Sequence, residues 1–411
     1  MKFSTALRSE ARSRIESLEH ADIMIGIPCY NNQRTLGHVV RTVEQGLNKY
    51  YRDLRSIVMV SDGGSVDDSR EEVEQVKPNP WSEILCGIYR GIPGKGCALR
   101  AIFEAAKFLK VRACLLFDAD LRSITPEWIK NMAEPIISGV YDYVSPYYKR
   151  YKYDGTITNL IVYHLTRSLY GLRIRQPIGG DFALSPPVIE DYLKYDVWET
   201  DVGKFGIDIW MTTHAVVKRY KICEARLGVK IHDVKDPTES LGPMFRQVLD
   251  TLFELMEDYE SYWKQIKGSK SVDILGEVTD LKPKPFKIDH GALVENFKIG
   301  YEHFGPLWKS VLEPANFNEI RNLIKLKPNE FIMDIEWWVR TLYNFASVFH
   351  KWEKNRFKLV TSMTPLYNGR VASFVNITKD MDDLQAEEVV QKDAQKFEEM
   401  KDYLIKIWDS I

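Results

Sequence analysis

The sequence has no excess of either charge: 56 Lys+Arg stand against 58 Asp+Glu in 411 residues, a formal net charge of −2. A dedicated nucleic-acid binder would show a basic surplus, so no nucleic-acid partner is expected. Cysteine is scarce. Cys29, Cys86, Cys97, Cys114 and Cys223 are odd in number and far apart, with no C-x-x-C pair, which speaks against a zinc site and fits reduced thiols. No apolar run reaches the length of a membrane span. Met1 to His20 carry charges throughout and no apolar signal core, so a cytoplasmic location is the expectation. Packing residues, in contrast, are plentiful. Hydrophobic residues make up 45% and aromatics 12%, too much for disorder, in a chain long enough for two domains.

Ile23-Met24-Ile25-Gly26-Ile27-Pro28 reads as a buried parallel strand, and Ile57–Val60, Ile84–Tyr89 and Ala113–Phe117 read as three more. Helical spacing runs from Thr35 to Leu47 and from Gly96 to Leu109. Strands alternating with helices predict an α/β fold, an open and mostly parallel sheet with helices on both faces. After about Leu241 the pattern changes. Phe245, Val248, Leu249, Leu252, Phe253 and Met256 mark an amphipathic helix, Gly268–Gly291 reads as a connector, and Phe331–Trp352 and Leu384–Trp408 read as further helices. The expected division is residues 1–240 as an α/β domain and 241–411 as a helical domain or extension. Trp337, Trp338, Phe345 and Phe349 suit a core or a homo-oligomer interface better than a sugar platform. Met363–Arg370 reads as a connecting turn in preference to a segment folded back on an active site.

The polar groups that suggest chemistry follow the strands. Asp118-Ala119-Asp120 is a pattern common on surface turns, but at a strand's carboxyl end it suits a hard cation shared with phosphates. Lys95, in Pro93-Gly94-Lys95-Gly96, opens a helix where free N–H groups and a positive charge favour a phosphate; a plain turn is the alternative. The P-loop spacing is missing, which argues against an ATPase or kinase. Asp62-Gly63-Gly64-Ser65 is, by itself, a tight turn with an Asp cap. In Gln176-Pro177-Ile178-Gly179-Gly180-Asp181 the paired glycines expose backbone amides to a hydroxylated or anionic ligand, and an ordinary turn fits equally well. Asp208 stands where a helix begins, and His232 closes a short strand-like run. One imidazole would complete an Asp–metal–diphosphate site for Mn²⁺ or Mg²⁺.

Taken in order, these segments resemble the glycosyltransferases with a nucleotide-sugar-binding α/β fold, family 2 and its relatives. Ile25–Asn32 looks like their first strand and loop, Ser61–Ser65 like their base-contacting acidic turn, and Asp118–Asp120 like their metal motif. Pro93–Gly96, Thr125–Ile129, Gln176–Gly180, Gly206–Asp208 and His232 extend the likeness toward retaining glucosylglycerate and mannosylglycerate synthases, with glucosyl-3-phosphoglycerate synthases more distant. The resemblance covers about Ile23 to Phe253. It implies a GT-A-type, Rossmann-like sheet followed by a mainly α-helical C-terminal region.

Residue by residue, the resemblance assigns Pro28, Tyr30, Asp62, Lys95, Asp118, Gly179 and Gly180 to the nucleotide sugar. It assigns Asp118, Asp120 and His232 to a divalent cation, with Asp118 touching ribose or metal, and Asp208 to a catalytic place beside the donor sugar. Arg150, Asp154 and Thr158 look like the acceptor site, holding the reacting hydroxyl. Their spacing of four would align them on one helical face, where Arg150 could clamp a carboxylate. The implied reaction moves a hexose, glucose before mannose, from a GDP- or UDP-sugar to D-glycerate with retention. An α-linked compatible solute would result. After His232, Asp233-Val234-Lys235 departs from the basic-aromatic run of mannosylglycerate synthases. A 3-phosphoglycerate acceptor would need extra cations, which Lys149, Lys152 and Lys235 could supply. Three other readings stay open: sugar nucleotidyl transfer, a family 2 enzyme with another acceptor, and an inactive nucleotide-sugar sensor.

Overall fold

The computed structural model describes residues 3–232, 242–278 and 281–410. Its strands are β1 (Ile23–Cys29), β2 (Ser56–Asp62), β3 (Ser82–Ile88), β4 (Ala113–Leu116), β5 (Tyr143–Lys149), β6 (Leu172–Arg173), β7 (Phe182–Leu184), β8 (Ile222–Val229), β9 (Lys270–Ser271) and β10 (Asp273–Leu275). Eight of them form one sheet in the order β10-β8-β5-β7-β4-β1-β2-β3. Every pairing is parallel except those of β7, which runs against both β4 and β5. The sheet is therefore mostly parallel, as expected. The four apolar runs of the sequence are β1 to β4, continuous because both faces are covered.

Alternation along β1 shows how. Ile23, Ile25 and Ile27 turn to one face, against Val39, Val40 and Val43 of the helix Leu36–Tyr50 and Trp128, Ile129 and Met132 of the helix Pro126–Ile137. Gly26 turns to the other face, where a Cβ would come within 2.5 Å of Ile102 in the helix Lys95–Phe108. The missing side chain lets that helix lie directly on the sheet.

The contacts of the chain divide into two units. The first comprises Met1–Lys149, Arg175–Asp233 and Val272–Pro283 and holds the large sheet. The second comprises Arg150–Ile174, Val234–Ser271 and Lys284–Ile411. A single cut between residues 240 and 241 does not describe this division, and Leu241 itself lies outside the described residues. The segment read as a connector also needs correction. Asp273–Leu275 is β10, hydrogen-bonded to β8 at the sheet edge, and Asp289 caps the next helix by accepting from Ala292 N at 2.9 Å.

The second unit is mainly helical, with the small β6–β9 pair beside long helices such as Gly242–Asp258, His290–Val311, Ile335–Lys351 and Asp383–Glu399. Trp337, Trp338, Phe345 and Phe349 are core residues: all four are buried, and both indole N–H groups donate to carbonyls, of Asn316 and Leu160. Met363–Arg370 is not a turn. It leads into and forms the first half of the helix Thr364–Thr378, started by Pro365 and packed on His290–Val311 where Gly300 and Gly369 leave room. Among the described residues no helix is long and apolar enough to cross a membrane.

Candidate active site

The strand directions put one set of loops at one edge of the sheet. β1, β2 and β4 are parallel neighbours, so Tyr30, Asp62 and Asp118 emerge together at their carboxyl ends. β7 runs the other way, with Phe182 opposite Leu116, so Gly179-Gly180-Asp181 meets Asp118. β5 and β8 run with β4, which brings Tyr148 and Lys230 to the same edge. Such an edge is where open α/β sheets bind ligands.

Asp118 is the centre. Its Oδ1 accepts from Lys95 Nζ at 2.9 Å and its Oδ2 from Lys230 Nζ at 2.9 Å. Lys95, at the start of its helix, also lies 3.1 Å from Asp208 Oδ1 and donates to Gly180 O at 3.3 Å. Burial alone would raise the Asp118 carboxyl, but Lys230 and Lys95 outweigh it and hold it well below the usual range. For Asp208 the balance is opposite: burial dominates, Lys95 offsets only part, and its pKa is raised.

The glycines are explained by contact. Gly180 has φ +88°, and a Cβ there would fall 2.0 Å from Asp118 Oδ2. At Gly96 a Cβ would meet Val202 O at 1.9 Å, so the Lys95 turn needs its glycine as well.

Asp62 behaves as its local sequence suggests. It is fully buried, and it accepts from Gly64 N at 3.1 Å, Ser65 N at 3.0 Å and Ser65 Oγ at 2.5 Å. Both oxygens are thus turned into their own loop. Tyr30, beside it, is 61% exposed, and its ring lies close to Gly63. Pro28 is within β1.

The structure does not gather Asp118, Asp120 and His232 into a ready three-ligand set, and among the described residues no three His, Cys, Asp or Glu side chains form one. Asp118 is instead held by two lysines. The segment that follows Asp120 is nonetheless joined through the backbone to the one that ends at His232. Leu121 and His232 form an antiparallel bridge, and Arg122 N donates to Ile231 O at 2.8 Å. A carboxylate and an imidazole are ligand types that suit a divalent cation taking its other oxygens from phosphates.

The acceptor segment differs from expectation. Arg150, Asp154 and Thr158 do not share one helical face: Arg150 precedes a turn, Asp154 lies in a bend, and Thr158 begins a π-helical stretch, Thr158–Val162. Gly155, at φ +67°, interrupts the run before the helix starts at Thr156. Arg150 and Asp154 still meet, at 3.2 Å. All three belong to the second unit. Asp233-Val234-Lys235 lies outside the described residues.

Four residues escaped the sequence reading. Asp181 is fully buried, accepts from Asp118 N at 2.8 Å and from the Tyr148 hydroxyl, and pairs with Lys230 at 3.0 Å. Glu224, on β8, accepts from Arg175 N at 2.6 Å beneath the same loop, and burial pushes its carboxyl up to about 8. The available signal was weak: charged residues set in the apolar surroundings of Gly180-Asp181 and Val229-Lys230-Ile231.

Residues 24–183 match the family profile described as Glycosyl transferase family 2. The matched segment runs from β1 into β7. The match ends before Asp208, Lys230 and His232, which β8 and its preceding helix bring back to the same edge of the sheet. No curated protein matches the chain at a significant level. Among solved structures, glucosyl-3-phosphoglycerate synthase from Mycobacterium tuberculosis with Mn²⁺, UDP and phosphoglyceric acid is 22% identical. The match covers 59% of this chain and 82% of that one, with a TM-score of 0.45. The same enzyme with Mn²⁺, UDP-glucose and phosphoglyceric acid is 21% identical over 60% and 83%, also at 0.45. A structure described as a mycobacterial protein is 22% identical over 59% and 77%, again at 0.45.

Proposed function

We propose that the chain is a metal-dependent, retaining hexosyltransferase that moves a hexose, glucose before mannose, from a nucleoside-diphosphate sugar to D-glycerate. One observation carries the reading. Lys95, Asp118 and Asp208 join in one ion-paired cluster at the strand edge of a glycosyltransferase domain, beside the Leu121–His232 bridge.

Lys95, fixed between two carboxylates at a helix start, would meet the diphosphate with its ammonium and the helix's free N–H groups. Asp120 and His232 would hold the cation, Mg²⁺ or Mn²⁺, whose charge would favour departure of the diphosphate. Tyr30 offers an exposed ring for a base, and Asp62 keeps the loop beside it in shape. Asp208 would face positive charge developing on the donor sugar. Retention and the acceptor role of Arg150, Asp154 and Thr158 rest on the sequence resemblance. The acceptor hydroxyl would attack on the leaving-group face, its proton passing to a departing phosphate oxygen.

D-Glycerate is preferred over 3-phosphoglycerate because one of the cations that an acceptor phosphate would need is otherwise engaged. Lys152 Nζ donates to Thr378 O at 2.7 Å and Lys379 O at 3.3 Å, and to Met381 O at 2.5 Å, closing a helix end. The test is release of nucleoside diphosphate from UDP-glucose, GDP-glucose and GDP-mannose, each with D-glycerate or 3-phosphoglycerate and with Mg²⁺ or Mn²⁺. Faster turnover with D-glycerate supports the proposal. Preference for 3-phosphoglycerate overturns the acceptor, and pyrophosphate release from a nucleoside triphosphate overturns the reaction.

A further inference from the structure

We infer that Lys230 and Asp181 are positioning residues, which hold Asp118 and the tail of β8 so that Asp120 and His232 receive a divalent cation together with a nucleoside diphosphate. This deepens the function proposed above and rests on it.

Lys230 is 3% exposed at its side chain, yet it is not simply a neutralising charge. An ammonium has three hydrogens, and three oxygens lie within reach: Gly179 O at 2.8 Å, Asp118 Oδ2 at 2.9 Å and Asp181 Oδ2 at 3.0 Å. These belong to the glycine loop, the end of β4 and the start of β7. Lys230 itself continues from β8. One side chain therefore joins the chain segments that build this end of the site.

Asp181 completes the joint from below. Its Oδ1 takes the backbone N–H of Asp118, its Oδ2 takes Lys230 and the Tyr148 hydroxyl, and no part of it is exposed to solvent. Asp181 thus holds the backbone of Asp118 while Lys230, paired with Asp181, joins Lys95 in holding its side chain. One and two residues beyond Lys230, the β8 tail is fastened to the segment after Asp120 by Ile231 N to Ser123 Oγ at 2.9 Å and by the Leu121–His232 bridge. Moving Lys230 would shift His232 relative to the segment that follows Asp120. A buried ion pair is commonly no more stabilising than apolar residues of the same volume, so its value here is geometric.

The experiment is calorimetric titration of UDP and GDP, with Mn²⁺ present, into the full chain and into three variants. Mn²⁺ alone is followed by electron paramagnetic resonance. The variants are Lys230→Arg, Asp181→Asn and the charge-balanced pair Lys230→Met with Asp181→Asn. The pair is expected to keep a cooperative thermal transition while diphosphate-dependent Mn²⁺ affinity drops about tenfold or more, the usual effect of removing support behind a metal ligand. Lys230→Arg should recover part of it, and in turnover the donor KM should rise more than kcat falls. Should the double variant fail to fold, Tyr148→Phe, which removes only the hydroxyl, is read in the same way. Wild-type binding of a diphosphate with no change in the folded variants overturns this inference alone. A wild-type chain that binds neither diphosphate overturns the proposed function, and the inference with it.

Discussion

Asp62 ends β2 and Asp118 follows β4, the two strands that flank β1, yet their carboxylates are satisfied from very different distances along the chain. Asp62 takes its donors from Gly64 and Ser65, two and three residues on. Asp118 takes its donors from Lys95, Asp118's own backbone being held by Asp181, and from Lys230, at separations of 23, 63 and 112 residues respectively. A locally satisfied aspartate shapes a loop. One satisfied by distant residues records how several strands converge, and it has partners that a ligand's charges can displace.

The largest expected effects fall on the Asp118 side. Chelation of divalent cations, or Asp120→Ala, should lower turnover about a thousandfold, which corresponds to roughly 4 kcal/mol of transition-state stabilisation. Readdition of Mn²⁺ or Mg²⁺ should restore the chelated enzyme. Turnover unaffected by either treatment would remove the cation from the account.

Next come the two aspartates themselves, compared in one experiment. Asp62→Ala leaves three donors without their acceptor and should cost on the order of 3 kcal/mol in urea unfolding. Asp118→Asn should cost only about 1 kcal/mol, because Lys95 keeps Asp208 and Lys230 keeps Asp181, while diphosphate affinity falls more than in any loop variant. The contrast breaks if Asp62→Ala keeps its stability and loses the nucleotide instead.

Gly180→Ala sharpens the same comparison at the loop covering Asp118. At φ +88°, with a Cβ meeting Asp118 Oδ2, it should cost about 1–3 kcal/mol and raise the donor KM. An alanine variant with unchanged stability and KM would show that the loop is free to withdraw.

The pH-dependent effect, small over any one pH unit, concerns Glu224, buried under that loop. Its folded pKa, about 8, lies above the ordinary 4.5, so the folded protein retains a proton that the unfolded chain releases. Stability should therefore fall as pH rises through that window, by at most about 1.4 kcal/mol per pH unit from this group. Glu224→Gln should flatten this part of the profile in urea unfolding at several pH values. An unchanged slope would mean that Glu224 is charged in the fold.

These cases also mark what could be read from the chain alone. β1 to β4 were legible because each is an apolar run closed by a turn, and the residues after them reach one edge as the topology requires. β7 was not, being three residues long, and β10 lies in a polar stretch that gains its strand from β8. Lys95, Asp118 and Asp208 could be proposed from their places at strand and helix ends. Asp181, Lys230 and Tyr148 could not, since nothing near them in sequence shows that an antiparallel strand returns to Asp118. Arg150, Asp154 and Thr158 show the reverse error. Their spacing promised one helical face, and Gly155, in the left-handed region, ends that regularity.

The most direct test of the account is the structure of the product made by the wild-type chain. The enzyme is incubated with its best nucleotide-sugar donor, D-glycerate and Mn²⁺, and the anomeric proton is followed by NMR. The account predicts an α-hexosyl glycerate formed in step with nucleoside diphosphate release. A β-linked product would contradict the front-face mechanism, and no transfer to D-glycerate from any donor would contradict the proposed reaction.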